Sequence, residues 1–308
     1  MGEPWRDTPH WQVVDHLSEA CGRDLGALLL HADTRLLTRT DNAQTATFTL
    51  EMVVLDALHA AVGPLRPAVC AGHSLGEYAA LTAAGVLAPA DAGRLVAERG
   101  AAMAQTIRLA PGTMTVLIAP GAARTAGRLA ARLRSEHRAE VWIAGVNSPD
   151  QAVVSGTAED VATLAGQAAE AGVRAVRIPV DGAFHTPMMA AAEPRLAAAA
   201  KSAPLRRARC PVIANVDARA RRGDPATWRD LMIRQLVMPV RWSDTMRTLT
   251  AMTGPGRTAT ADGPLRLVEL GPGRTLTGLA RRLLPPHVPV RSVATPAELD
   301  ALVAEWWP

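Results

Sequence analysis

Five residues, Gly72-His73-Ser74-Leu75-Gly76, constrain this chain more than any other stretch. Residues 67–71 before them are short and apolar enough for a buried strand. Residues 77–84 after them read as the first turns of a helix, with no interior proline. A serine between two glycines at a strand-to-helix turn forms a nucleophile elbow. The glycines lack Cβ, so the backbone can turn tightly and leave the serine at a strained, exposed apex. Amide N–H groups at the helix start then face whatever the serine attacks. The pentapeptide alone is a moderate signal, because glycine and serine also gather in ordinary turns. Its two flanks favour a nucleophile.

With 308 residues, 48% of them hydrophobic, the chain can build one large domain or two unequal ones. Its apolar runs fall short of the roughly twenty residues that span a bilayer, and no secretory leader pattern opens it. The three cysteines, Cys21, Cys70 and Cys210, are widely spaced with no C-x-x-C. That argues against a disulfide framework or a Cys-rich zinc site and suits a reducing cytoplasm. No membrane association and no metal are expected. Lys201 is the sole lysine, and arginines cluster at 206–209, at 219–222 and at Arg281-Arg282. A nucleic-acid binder would interleave aromatics with such clusters, but aromatics make up 3% of the chain. An acidic protein partner fits them better.

Along the chain, residues 1–40 read as helical, with Trp11, Val14, Leu17 and Cys21 near helical spacing. Thr40-Asp41-Asn42-Ala43-Gln44 reads as a capping stretch before an apolar helix at 45–62. A further helix from Pro89 carries Leu95, Arg99 and Met103 on one face. Residues 113–179 read strand, helix, strand, strand, helix, strand, the split βαβ or ferredoxin-like order. The expected fold is α/β. An α/β-hydrolase-like parallel-sheet body at 1–112 and 180–308 is interrupted by a ferredoxin-like subdomain at 113–179. In the second body segment we expect helices at 188–201, 227–236 and 241–252, and strands at 210–216, 265–270 and 288–293. A helix ending the chain carries Trp306-Trp307. Thr253 to Gly263 is the expected mobile loop. Gly271-Pro272-Gly273 lacks the residues of a P-loop and the spacing of a dinucleotide fingerprint.

A serine nucleophile needs a base. Of eight histidines, His73 lies inside the elbow and points away from its apex, which suits packing. His185, in an apolar turn before a helix, is the better candidate.

Several blocks then follow in order: Gly72-His73-Ser74-Leu75-Gly76-Glu77-Tyr78-Ala79-Ala80-Leu81, Glu98-Arg99-Gly100, Asn147-Ser148-Pro149, Gly182-Ala183-Phe184-His185-Thr186-Pro187, Pro239-Val240-Arg241-Trp242 and Glu269-Leu270-Gly271-Pro272-Gly273. With these the chain resembles the malonyl-CoA:acyl-carrier-protein transacylases and the acyltransferase domains of polyketide synthases, over nearly its whole length. The resemblance implies Ser74 as the acyl-accepting nucleophile and His185 as its base, a dyad whose imidazole is oriented by a backbone carbonyl from the 239–242 region. It implies the Leu75 N–H as an oxyanion donor. Arg99 would pair with the free carboxylate of a malonyl group, by a fork of charge-assisted hydrogen bonds. Asn147 and Gln44 join the substrate-binding set, and a bulky Phe184 would disfavour a branched α-methyl. The implied reaction is ping-pong, from coenzyme A as thioester substrate to an acyl carrier protein, with no bound cofactor. Arg281 and Arg282 are the first candidates for docking that acidic partner.

The family opens with a strand running into a Gly-Gln-Gly-Ser-Gln loop, whose second glutamine supplies another oxyanion N–H. No such segment occurs here. The chain as given is therefore expected to lack a core strand beside the nucleophile strand and one of two donors, a loss of about a hundred- to thousand-fold in kcat. We expect a working protein that begins upstream of Met1. Thr45, where the family usually has proline, is a smaller departure. Three rivals remain at this point: an editing acyl hydrolase on the same fold, an unrelated α/β-hydrolase using His287, and a non-catalytic docking component.

Overall fold

The computed structural model describes residues 1–252 and 265–308; the loop expected from Thr253 to Gly263 lies outside the described residues. Residues 1–40 are helical in pieces: Gln12–Cys21, Leu25–His31 and Thr34–Thr38 follow two short 3₁₀ turns. Gly22 ends the first piece with φ of 61°, a left-handed cap that a Cβ would disfavour.

The core helix starts at Thr40, not at 45, and runs Thr40–Val62. Residues 40–44 are therefore its first turn and not a cap. Asp41 there suits the positive end of the helix dipole, and Asn42 and Gln44 are buried. With 23 residues and a hydropathy of 1.3, this helix is long and apolar enough to cross a membrane, contrary to the sequence expectation. More than half of that stretch is buried inside the protein, where it packs against the helix Pro89–Leu109.

The strands are β1 (Cys70–Ala71), β2 (Thr113–Ile118), β3 (Val141–Ser148), β4 (Gln151–Gly156), β5 (Arg174–Ile178), β6 (Val212–Ile213), β7 (Ala220–Arg221), β8 (Leu267–Leu270) and β9 (Val290–Val293). β1 pairs in parallel with β6, and β7 adds an antiparallel edge to β6 that the sequence did not suggest. β8 and β9 form a separate parallel pair. The body strands are shorter than expected, 70–71 instead of 67–71 and 212–213 instead of 210–216. The stretch expected as one helix at 188–201 splits into a 3₁₀ segment Pro187–Ala192 and a helix Glu193–Ser202, with Pro194 opening the second rather than continuing the first.

Strands β2 to β5 form an antiparallel sheet in the order β3-β4-β2-β5. The helices Ala122–His137 and Ala158–Glu170 close over it with their own core, including Leu117, Leu129, Leu133, Val154 and Leu164.

Among the described residues, β1 and β8 each have a strand neighbour on one side only. A cavity of about 640 Å³ lies between them, lined by Cys70, Ala71, Leu267, Val268, Met52 and Trp242 among others. Neither Ser74 nor His185 lines it.

Leu164 is fully buried in the small-sheet core. Leu164→Ala should lower stability by about 2–5 kcal/mol, read by urea unfolding. A loss under about 1 kcal/mol would contradict this packing.

Candidate active site

The turn after β1 carries Ser74 at φ 53°, and the turn before Pro187 carries His185 at φ 59°. Arg138 and Ala218 are the other described non-glycine residues with positive φ. A side chain held there costs about 1–3 kcal/mol, so strain gathers at this pair. Gly72 makes the turn possible: a Cβ there would lie 1.9 Å from the Gly76 carbonyl oxygen.

These turns bring Ser74 Oγ within 2.7 Å of His185 Nε2. The other ring nitrogen, Nδ1, lies 2.8 Å from the Gln235 carbonyl oxygen. A carbonyl only accepts, so Nδ1 carries the proton and Nε2 keeps its lone pair for the serine hydroxyl. The orienting carbonyl therefore comes from Gln235, not from residues 239–242. Gln235 directly follows the helix Pro225–Arg234, where carbonyls lack intrahelical partners. Residues 239–242 instead tie the two sheets: Val240 bridges to Gly145 on β3, and the Arg241 N–H donates to the Asn215 carbonyl at 3.0 Å.

Arg99 is 1% exposed. Its Nη1 donates to Gln44 Oε1; its Nη2 donates to Gln235 Oε1 at 3.0 Å and to Ser74 Oγ at 3.2 Å. The Nε has no partner among the described residues. The guanidinium is thus hydrogen-bonded to neutral oxygens, beside the Ser74 hydroxyl. Burial, and after it the Arg99 charge, push the His185 imidazole down to about 3. The imidazole is neutral at every physiological pH.

The remaining expected residues divide. Gln44 reaches the site through Arg99. Asn147 Oδ1 meets His73 Nε2 at 3.1 Å, and its Nδ2 donates to Gln151 at 3.2 Å, so it braces the elbow's histidine rather than touching Ser74. His73 packs on Trp242 with ring centroids 5.6 Å apart. Phe184 fills the space over Gly182 beside Ile107. The Leu75 N–H, at the start of the helix Gly76–Ala83, makes no hydrogen bond among the described residues. Arg281 and Arg282 are exposed in the last turn of the helix Thr275–Leu283, away from the dyad's hydrogen bonds. His287 is exposed in a loop, so no triad forms with it. The sequence reading missed Gln235 and Asn215, single amides just beyond a helix and a strand. Among the described residues, no group of His, Cys, Asp and Glu could hold a metal.

Because its pKa is lowered, His185 stays an unprotonated base as pH falls through the ordinary imidazole value near 6.5. Reaction of Ser74 Oγ with an electrophile such as phenylmethanesulfonyl fluoride should keep a flat rate through pH 6.5 and slow only well below it. An acid limb centred at the ordinary value would contradict the buried, Arg99-facing imidazole.

Comparison with known proteins agrees with this geometry. The family described as "Acyl transferase domain" matches residues 10–261. The chain is 32% identical to the malonyl CoA-acyl carrier protein transacylase of Bacillus subtilis, over 88% of this chain and 81% of that one. It is 34% identical to that of Escherichia coli, over 87% and 82%. Its fold matches the malonyl-CoA:acyl carrier protein transacylase of Xanthomonas oryzae at a TM-score of 0.87 and 33% identity, covering 97% and 91% of the two chains. It also matches a structure of a type II polyketide synthase acyl-carrier protein in complex with its malonyl-transacylase, at a TM-score of 0.88 and 28% identity, covering 99% and 94%. With the family match spanning most of its length, the chain belongs to the acyl transferase domain family.

Proposed function

We propose that this protein moves a malonyl group from coenzyme A to the phosphopantetheine thiol of an acyl carrier protein, in polyketide or fatty acid biosynthesis. The observation that carries this is the buried Arg99 guanidinium, which touches Ser74 Oγ and has no carboxylate among its hydrogen-bond partners. Once Ser74 carries an acyl group, a cation this close to Oγ is in reach of a carboxylate separated from the acyl carbon by a single CH2. A three-carbon diacid fits. A monoacid leaves the charge unpaired, and a longer diacid overshoots.

The steps follow from the dyad. His185 Nε2 takes the Ser74 proton as Oγ bonds to the thioester carbon, and the tetrahedral oxyanion forms facing the Leu75 N–H. Collapse breaks the carbon–sulfur bond, and the imidazolium returns its proton to the departing thiolate. A pantetheine thiol repeats the sequence in reverse, giving up its proton to His185 and regenerating Ser74. Phe184 beside the histidine disfavours a methyl branch, a discrimination limited to about 1–3 kcal/mol. Gln44 and Asn147 act by holding Arg99 and His73.

We read residues 113–179 as a ferredoxin-like subdomain inserted into an α/β-hydrolase-like body at 1–112 and 180–308. The β3-β4-β2-β5 order and the separate core support that reading. We place the protein in the cytoplasm, in line with its three free cysteines. Arg281 and Arg282 are the proposed carrier-protein contact.

Malonyl-CoA should leave a malonyl mass on Ser74, which holo acyl carrier protein removes far faster than water does. Release of free malonate as the main route would mean a hydrolase. Reversing Arg281 and Arg282 to Glu should raise the carrier-protein KM about tenfold and spare acylation by malonyl-CoA. Equal loss in both half-reactions would rule that patch out.

A further inference from the structure

Ser74 is held by more than its own turn. Its N–H donates to Asn215 Oδ1 at 2.7 Å, and Asn215 Nδ2 donates to the Gly72 carbonyl at 2.7 Å. One carboxamide thus clamps both arms of the elbow. Asn215 lies just past β6, the strand that pairs with β1, and is 1% exposed. Its own N–H donates to Glu77 Oε2 at 2.6 Å, and its carbonyl accepts from the Arg241 N–H at 3.0 Å.

Glu77 is fully buried, and its Oε1 has no partner among the described residues. A fully buried carboxyl with one oxygen unpartnered is a costly way to fill a core. Burial raises its pKa to about 7, against the opposing pull of the Asn215 N–H, Gln235 and Arg99. The Ser74 N–H, spent on Asn215, cannot face the oxyanion, which leaves that role to Leu75.

We propose that Asn215, held in place by Glu77, is a positioning residue that keeps Ser74 in its left-handed conformation with Oγ aimed at His185. The proposal rests on Ser74 being the nucleophile, as proposed above. Without the clamp the elbow is free to relax toward an ordinary φ, carrying Oγ away from Nε2. Neither residue hydrogen-bonds Arg99 directly, so binding of the acyl thioester changes far less than the rate does.

The test compares Asn215→Ala, Glu77→Gln and Glu77→Ala with the parent chain. It measures Ser74 acylation by malonyl-CoA and, separately, Ser74 labelling by phenylmethanesulfonyl fluoride, with circular dichroism melts to establish folding. We expect Asn215→Ala to lose up to about a hundredfold in kcat with KM within about twofold, and to label slowly. Glu77→Gln, which keeps an acceptor for the Asn215 N–H, should recover most of the rate that Glu77→Ala loses. A folded Asn215→Ala that labels and acylates at the parent rate overturns the proposal. So does a change confined to KM, or equal rates in the two Glu77 variants; that last comparison decides the matter if Asn215→Ala does not fold. A parent chain that is not labelled at Ser74 would instead remove the nucleophile assignment itself.

Discussion

A charged guanidinium sits in the interior beside a serine hydroxyl, with only neutral oxygens to bond to. Taking an ion out of water costs several kcal/mol. The protein spreads that cost over Gln44, Gln235 and the Tyr78 ring, whose centroid is 5.6 Å from the Arg99 carbon. The same charge helps to hold the His185 imidazole neutral. If Arg99 takes a substrate carboxylate, as proposed, pairing would remove that field, and capture of a diacid would go together with a stronger base.

The scaffold's task is to keep three groups from distant parts of the chain within reach of one oxygen. Two positive-φ turns present Ser74 and His185, and Gln235 joins them. Its carbonyl accepts from His185, its side-chain oxygen accepts from Arg99, and its side-chain nitrogen donates to the Ser74 carbonyl at 3.0 Å. Moving the helix Pro225–Arg234 would therefore disturb His185, Arg99 and Ser74 together.

Much of this was legible in the residues. The elbow motif located Ser74, the apolar turn located His185, and the order of strands and helices at 113–179 is the observed one. What was not legible came from backbone and amide groups. Gln235 acts through a carbonyl freed at a helix end, which any residue there could supply, so no side-chain pattern marks it. Asn215 reads in sequence as an ordinary polar residue after a strand. Residues 40–44 resembled a cap because Thr, Asp and Asn also cap helices. Here they form the first turn, which is what carries Gln44 to Arg99.

The most direct measurement is the ratio of kcat/KM for malonyl-CoA over acetyl-CoA in Ser74 acylation, for the parent chain and for Arg99→Ala. If the buried cation selects the acyl group, the parent ratio is large, and it collapses toward or below one in the variant through loss of the malonyl rate. A ratio that is unchanged by the substitution, in a folded protein, would contradict the role given to Arg99.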